Sequence, residues 1–469
     1  MNAKLIISTS LLPILILFSS CSNILQEPNS KAKNANLSVN IPNRFDVTPP
    51  PVPEVAKGLL SLFSDSQLKR YVNKALSANP DLQSSLARLE EAGFNTRKSY
   101  ALGLPSLTAG ASLGRNKIGG AAFGGGFNGS NRALYSATLD AQWEVDVWGR
   151  IRAGVNAASR DQLSFAADHE AARQSIAAQT MQAYFSLIAS EKLLDLSQRR
   201  LSSFEKTVSL VNRRFESGTG NLSDLDLART DLENTRAQVE QRKNARDQAA
   251  RKLAALTGSY PDTSARASVK NYPSLRRSVP AGIPSGVMLR RPDIHAAYER
   301  IRAADSRVTV AHRDLYPRFP LTASAGQQSN VLKNLANTNF NVWSIAANLT
   351  APLIDGGSRR AELGAANARA KQALANYHAT VLSAFQEVEN ALGSEYYLRI
   401  QQRAYKNALT AARSAESRTR RNYENGLVEI LTLLDAQRRS FSTEESFINT
   451  KSLRFQNRVS LALVLGKGI

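Results

Sequence analysis

The chain has 469 residues, of which 42% are hydrophobic, and its mean hydropathy is −0.30. Beyond the N-terminus no stretch approaches the ~18 apolar residues of a membrane-spanning helix, which excludes a helical membrane protein. The net charge is +21, but Lys and Arg are interleaved with Asp and Glu and form no nucleic-acid-binding motif. We therefore expect no nucleic-acid partner.

The N-terminus has the pattern of a secretory signal. An apolar run over residues 5–18 follows Lys4 and ends in two serines and Cys21, the single cysteine of the chain. One cysteine excludes an internal disulfide, and the pattern resembles a lipobox, although Phe18 stands where leucine is commoner. We predict a lipoprotein signal peptide over 1–20, acylation of Cys21, and an extended tether over 21–65 rich in Asn, Ser, Lys and Pro.

A first structural unit is predicted over residues 66–258. A helix over about 67–101 precedes two strands, at about 105–114 and 134–148, which are joined by a loop rich in Gly and Asn. The longer strand alternates without a fault between apolar and polar residues, which predicts one apolar and one polar face. Its predicted lipid-facing residues are Tyr135, Leu139 and Trp143.

One long helix dominates this unit. Residues 150–215 contain no proline, and a helix of about 66 residues is roughly 100 Å long. Its distal half has heptad-like apolar spacing, which is typical of a seam against a partner helix. The chain turns at Gly218 and returns along a helix over about 222–257, so residues 150–257 are predicted to form an antiparallel helical hairpin.

The same pattern occurs a second time in the chain. The segment Phe215–Gly218 corresponds to Tyr423–Gly426, with Gly426 at the second turn. A linker over 259–286, a second repeat over 287–466 and a C-terminal end over 467–469 follow, with strands at about 318–328 and 341–353. The apolar residues predicted to face lipid on the last strand are Trp343, Ile345 and Leu349.

The alternating strands fit either a soluble sandwich or an outer-membrane barrel, and the secretory signal favours the barrel. Four strands cannot close a barrel, and open sheet edges do not occur in lipid. If the strands span the membrane, several chains share one barrel: two chains give eight strands and three give twelve.

An enzymatic site is not indicated. The four histidines stand apart in the sequence, without metal-ligand or triad spacing, at His169, His295, His312 and His378. The stretch 291–293 is typical of a helix start with an acidic first turn, and no Gly-rich phosphate loop follows a strand. We expect no catalytic residues, no metal and no cofactor.

Three motifs resemble a known family. The segments Met288–Ile294, Tyr423–Gly426 and Leu434–Arg438 are similar to signatures of the TolC-like outer membrane factors, and the NodT-type lipoprotein branch fits best. The resemblance implies a mainly α fold with a small transmembrane β part, in which a trimeric 12-stranded β-barrel continues into a long periplasmic α-helical barrel.

The family's function follows from the same resemblance. It implies the outer-membrane exit channel of a tripartite efflux pump, which passively conducts drugs or other small molecules to the outside. The implied partners are a periplasmic adaptor (membrane fusion) protein and an inner-membrane transporter of the resistance-nodulation-division or ABC class. The homotrimer would be lipid-anchored in the outer membrane with most of its mass in the periplasm.

In this family an iris at the periplasmic helix tips closes the channel. The matching positions in the second repeat are Tyr423, Leu431, Asp435 and Arg438, and their first-repeat equivalents are Phe215, Ser223, Leu227 and Thr230. Three copies of Asp435 around an axis would repel one another and attract cations. The residues alone favour a solvated i,i+3 pair between Asp435 and Arg438, worth about 0.2–0.5 kcal/mol.

The role of the helical tips stays open at this point, as does the function of the whole chain. Gly218 and Gly426 are either adaptor-docking tips or simply turn glycines. The polar seam of the second hairpin suggests that this hairpin swings outward on opening. A type I protein-secretion duct and a non-pore structural coiled-coil lipoprotein that spans the periplasm are the rival functions.

Overall fold

A computed structural model describes the residues 29–33, 35, 58–118, 130–267, 272–273, 286–287 and 290–468. The predicted signal peptide, Cys21 and most of the predicted tether lie outside the described residues, as does most of the loop between the first two strands.

Helices make up most of the described chain. In chain order the helices and strands are α1 (Ser66–Ala78), α2 (Pro80–Ala101), β1 (Ser106–Ile118), β2 (Ser130–Val145), α3 (Arg150–Glu216), α4 (Leu222–Leu256), α5 (Pro292–Arg313), β3 (Phe319–Ser329), β4 (Asn341–Ala347), α6 (Ser358–Glu424) and α7 (Ile430–Val464). The helices α3 and α6 each have 67 residues, and α4 and α7 each have 35. None of the helices in the described ranges combines the length and apolar character needed to cross a membrane.

The chain divides into two compact units. The first comprises residues 1–36, 90–164 and 297–377, and the second comprises residues 37–89, 165–296 and 378–469. The first unit contains the β-sheet, and the second contains the turns of both helical hairpins.

The four strands of the first unit form one antiparallel sheet in the order β1-β2-β3-β4. The register aligns the apolar positions across the strands: Leu113 lies opposite Tyr135, Leu139 opposite Ala325, and Ala323 opposite Ile345. Because alternate side chains of a strand point to opposite faces, one face is mainly apolar, with Gln327, Ser329 and Asn341 among its exceptions, and the other carries Ser, Thr, Asp and Gln.

Strand ends differ from the sequence predictions. The strand β2 ends at Val145 rather than at residue 148, because the Asp146 carboxylate accepts hydrogen bonds from the backbone N–H groups of Ile151 and Arg152 and thereby caps α3. The strand β1 continues to Ile118, beyond the predicted end at 114.

The last strand is shorter than predicted. It ends at Ala347, and beyond it an isolated bridge joins Arg318 and Thr350. Asn348 donates to the carbonyl of Pro320 on β3, but Pro320 has no N–H to return the bond, which explains the early end. Leu349, predicted as a lipid-facing strand residue, is exposed but lies outside the strand.

The second unit has an aromatic core. Phe185 packs against Phe63 and Phe455 with ring centroids 4.8 and 5.1 Å apart. The Tyr184 hydroxyl donates a hydrogen bond of 2.9 Å to the Asp65 carboxylate, which also caps α1. Burial raises the pKa of Tyr184, and the bond to Asp65 raises it further, so the phenol stays protonated. This core fixes the segment around Phe63 and Asp65 against α3 and α7.

Candidate functional site

Each helical hairpin of the second unit reverses at a glycine. Gly218 and Gly426 have φ angles of 73° and 75°, in the left-handed region that glycine adopts without strain. After α3 the N–H of Thr219 donates to the carbonyl of Arg214, and after α6 the N–H of Leu427 donates to that of Asn422. Both turns are therefore Schellman motifs, which explains the glycines without any binding role.

The ends of four helices share one buried cluster, which we name the tip core. Its nine residues are Phe204 and Val211 of α3, Leu225, Ala228 and Leu232 of α4, Tyr423 of α6, and Ile430, Leu433 and Leu434 of α7. Heptad-type spacing on α3, α4 and α7 places these side chains on facing seams. The tip core holds the second hairpin against the first.

Tyr423 joins the two hairpins. Only 3% of its surface is exposed, whereas its first-repeat equivalent Phe215 is 40% exposed. The Arg214 guanidinium carbon lies 4.8 Å from the centroid of the Tyr423 ring, and its Nη1 donates a 3.2 Å hydrogen bond to the Tyr423 carbonyl. The structure thus places Tyr423 inside the contact between hairpins, apart from the other three predicted gate residues.

The other predicted gate residues lie on the solvent-accessible side of α7. Leu431 is 53% exposed, and Asp435 forms an ion pair of 2.7 Å with Arg439, four residues further on. Arg438 instead donates to the Asp231 carboxylate on α4, at 2.8 and 3.1 Å. The i,i+3 pair that the residues alone favoured between Asp435 and Arg438 is therefore wrong, because Arg438 reaches across to the other hairpin.

The first-repeat equivalents have a different character. Ser223, Leu227 and Thr230 are exposed on α4, and none of them is charged. Only the second hairpin therefore presents an acidic and a basic side chain at these positions.

Polar contacts that sequence analysis missed also link the hairpins. The fully buried Gln437 side chain donates hydrogen bonds of 3.1 Å to both Ser203 and Thr207 of α3. Arg420 of α6 donates to the same Ser203 hydroxyl at 2.7 Å. The only sequence signal was a polar residue at a buried seam position, which does not identify its partner.

A second polar linkage lies further along the hairpins. The Glu444 carboxylate of α7 binds Arg199 of α3 at 2.8 Å and Arg413 of α6 at 2.7 Å. Burial raises the pKa of Glu444, but the hydrogen bonds from the two arginines outweigh this, and its pKa lies below the ordinary value. The carboxylate is therefore ionised and bridges both hairpins.

A groove opens between the two turns. It has a volume of about 440 Å³ and is lined from both hairpins, with Arg214 and Asp224 on the first and Leu427 and Leu431 on the second. Its lining combines apolar side chains with charged and polar ones.

The predicted lipid-facing residues lie together on the apolar face of the sheet. Leu139, Trp143, Trp343 and Ile345 are exposed there, and Tyr135 is half-buried. The Trp143 Nε1 donates to the Gly103 carbonyl at 2.9 Å, at the edge of the sheet from which the helices extend. This combination is typical of an interfacial aromatic belt.

The N-terminal segment contacts α5 within the first unit. The Asp305 carboxylate accepts three hydrogen bonds, from the Ser30 hydroxyl at 2.6 Å and from the backbone N–H groups of Lys31 and Ala32 at 2.9 and 2.8 Å. No pattern in the sequence signals this contact. Among the described residues no group of three His, Cys, Asp or Glu side chains is placed to hold a metal ion.

Comparisons with known proteins agree with this geometry. The family model described as "Outer membrane efflux protein" matches residues 71–259 and 283–467. The chain is 32% identical over 412 residues to outer membrane protein OprJ of Pseudomonas aeruginosa, covering 87% of this chain and 85% of OprJ. It is 28% identical over 417 residues to cation efflux system protein CusC of Escherichia coli K12, covering 88% of this chain and 89% of CusC. The structure of the outer-membrane channel OprN matches with a TM-score of 0.86 and 27% identity, covering 94% of this chain and 99% of OprN.

Proposed function

Because the chain belongs to the outer membrane efflux protein family, we propose that it is the outer-membrane exit channel of a tripartite efflux pump. It passively conducts drugs or other small molecules from an inner-membrane transporter and a periplasmic adaptor to the outside. The observation that carries the proposal is the four-stranded sheet, whose register separates a mainly apolar face from a polar one.

The sheet supports a homotrimer. Within one chain β1 and β4 are edge strands, and their unpaired backbone groups would be costly in lipid. Three copies joined edge to edge form a closed barrel of twelve strands with its apolar face toward lipid and its polar face toward the pore. The two pairs of equal-length helices support a duplicated unit that builds the periplasmic helical barrel.

An acylated Cys21 anchors each chain to the outer membrane in this proposal. The nine residues from Cys21 to Ser30 span at most about 30 Å when extended. The bonds from residues 30–32 to Asp305 then limit how far the lipid can lie from α5.

The hairpin turns carry the proposed gate and adaptor contacts. Leu431, Asp435 and Arg438 form the gate on the accessible side of α7, and Tyr423 holds this hairpin through its contact with Arg214. The groove between the turns, beside Gly218 and Gly426, is suited to an adaptor segment. The inner-membrane partner is of the resistance-nodulation-division or ABC class. We assign no narrower cargo, since the name of CusC mentions cation efflux and the name of OprJ mentions no cargo.

Single-channel conductance of the purified protein in a planar bilayer tests both the pore and the gate. We expect a small or intermittent conductance from the wild type and a larger one from Asp435→Ala. Asp226→Ala is the matched control, because Asp226 is an exposed aspartate of α4 that pairs with Arg229 on its own helix.

Each outcome has a separate meaning. Equal conductance in Asp435→Ala and the wild type would refute the gate assignment but would still support a channel. No conductance from folded, inserted protein would favour the non-pore structural lipoprotein.

A further inference from the structure

The apolar face of the sheet ends in two cations. On β1 the alternate positions 107, 109, 111 and 113 are Leu or Ala, and the next two on the same face are Arg115 and Lys117. Both are exposed, and neither has an ion-pair partner within the described part of the chain. Among the described side chains on this face of the four strands, these are the only charged ones, and no carboxylate accompanies them.

The register sets the height of these cations on the sheet. Arg115 lies opposite Ala133, which is ten positions before Trp143 along β2. Ten residues span about 34 Å, and a strand tilt of about 40° reduces this to about 26 Å along the membrane normal. The apolar band of a membrane barrel is about 25 Å tall. If Trp143 marks the periplasmic boundary, Arg115 and Lys117 therefore lie at the outer one.

Charge on a lipid-facing surface is tolerated only at such a boundary. Arg or Lys at the midplane costs about 2–4 kcal/mol, a cost that falls to about 0–1 kcal/mol near the interface. Phosphate is the anionic group that lipids present there, and guanidinium and ammonium groups both bind it well.

We propose that Arg115 and Lys117 bind the phosphate groups of the glycolipid headgroups in the outer leaflet. The inference rests on the proposed function, since it requires the sheet to face lipid. In a trimer the pair occurs three times around the barrel, so six cations form a ring that fixes the height of the channel in the membrane. A neutral lipid of the same size does not bind this surface.

The chain supplies a matched control on the opposite face. Asn116, between the two cations, lies opposite Arg132 of β2. Arg132 is exposed at the same height, but the pleat directs it to the polar face. Arg132→Gln removes the same charge from the same end of the sheet without touching the lipid-facing surface.

The test uses the full-length protein in detergent micelles doped with bis-phosphorylated lipid A, or with the same lipid after removal of both phosphates. Bound lipid is counted by native mass spectrometry. We expect affinity for the phosphorylated lipid to fall about fivefold in Arg115→Gln or Lys117→Gln and about thirtyfold in the double variant. Arg132→Gln and the charge-conserving pair Arg115→Lys with Lys117→Arg should bind as the wild type does.

Two results would overturn the inference: equal binding of the two lipids by the wild type, or an equal loss of binding in Arg132→Gln. Conductance measured on the same preparations separates this inference from the proposed function. If the wild type conducts but does not prefer the phosphorylated lipid, only the lipid-binding inference is refuted. If the wild type binds the lipid but never conducts, the proposed channel function is refuted.

Discussion

Arg438→Gln is expected to loosen the second hairpin and raise the open probability of the channel. The Arg438 guanidinium makes two hydrogen bonds to one oxygen of Asp231 and so ties α7 to α4. Glutamine keeps much of the side-chain volume but removes the charge and the fork of donors.

The magnitude follows from the exposure of the pair. The Asp231 side chain is 12% exposed and that of Arg438 is 48% exposed, so solvent screens the pair only in part. Exposed pairs contribute about 0.2–1 kcal/mol, and hydrogen bonds to charged groups about 1.5–3 kcal/mol. We take about 1 kcal/mol per chain, which gives about 3 kcal/mol, or about 150-fold in the opening equilibrium, if three chains open together.

Single-channel recording of the variant beside Arg236→Gln measures this effect. Arg236 is the matched control, because it pairs with Glu233 on its own helix, α4, and takes no part in the proposed gate. Asp231→Asn should reproduce the effect of Arg438→Gln, and the double variant should add little to either. An unchanged open probability in Arg438→Gln, or an equal increase in Arg236→Gln, would contradict this role of the Arg438–Asp231 pair.

Three further changes test other parts of the structure. Asp305→Ala should speed tryptic cleavage after Lys31 about tenfold, because the carboxylate that holds this segment is lost. Equal cleavage rates in the variant and the wild type would contradict the contact. The pKa of Glu444 is lowered in the folded protein, so its ion pairs stabilise the fold fully above the ordinary pKa of 4.5 and are lost as the pH falls through the folded-state pKa. Thermal melting at several pH values should therefore show a smaller loss of stability on the acid side for Glu444→Gln than for the wild type. Gly326→Ala would place a Cβ 2.1 Å from the Ala137 carbonyl oxygen and should destabilise the sheet by about 1–3 kcal/mol. Gly110→Ala is the control, because its Cβ would lie 3.7 Å from the nearest atoms and should not destabilise the sheet.

Much of the fold could be predicted because it follows from periodicity. The long helix predicted over 150–215 is Arg150–Glu216 in the structure, since an unbroken run of helix-compatible residues ends at a glycine turn. Strand alternation likewise predicted which face of the sheet is apolar. Periodicity failed at strand ends, where Asp146 caps a helix and Pro320 cannot return the hydrogen bond from Asn348.

The candidate site was less predictable because its contacts join distant segments. Sequence spacing suggested that Asp435 pairs with Arg438, yet the partner of Arg438 is Asp231, 207 residues away. The contacts of buried Gln437 and of Asp305 likewise join residues that are distant in the sequence. The residue types were visible in the sequence, but their partners depend on which helices are neighbours.

The contacts between the hairpins also constrain how the channel opens. Separating them fully would expose four side chains of the second hairpin, namely Tyr423, Ile430, Leu433 and Leu434, at about 1.5–3 kcal/mol each. That cost, of about 6–12 kcal/mol per chain, is comparable with the stability of a whole domain. A single polar link costs less, at about 1 kcal/mol for the pair between Arg438 and Asp231. We therefore predict that opening preserves the tip core, with the second hairpin pivoting or sliding upon it while the polar pairs around the core break.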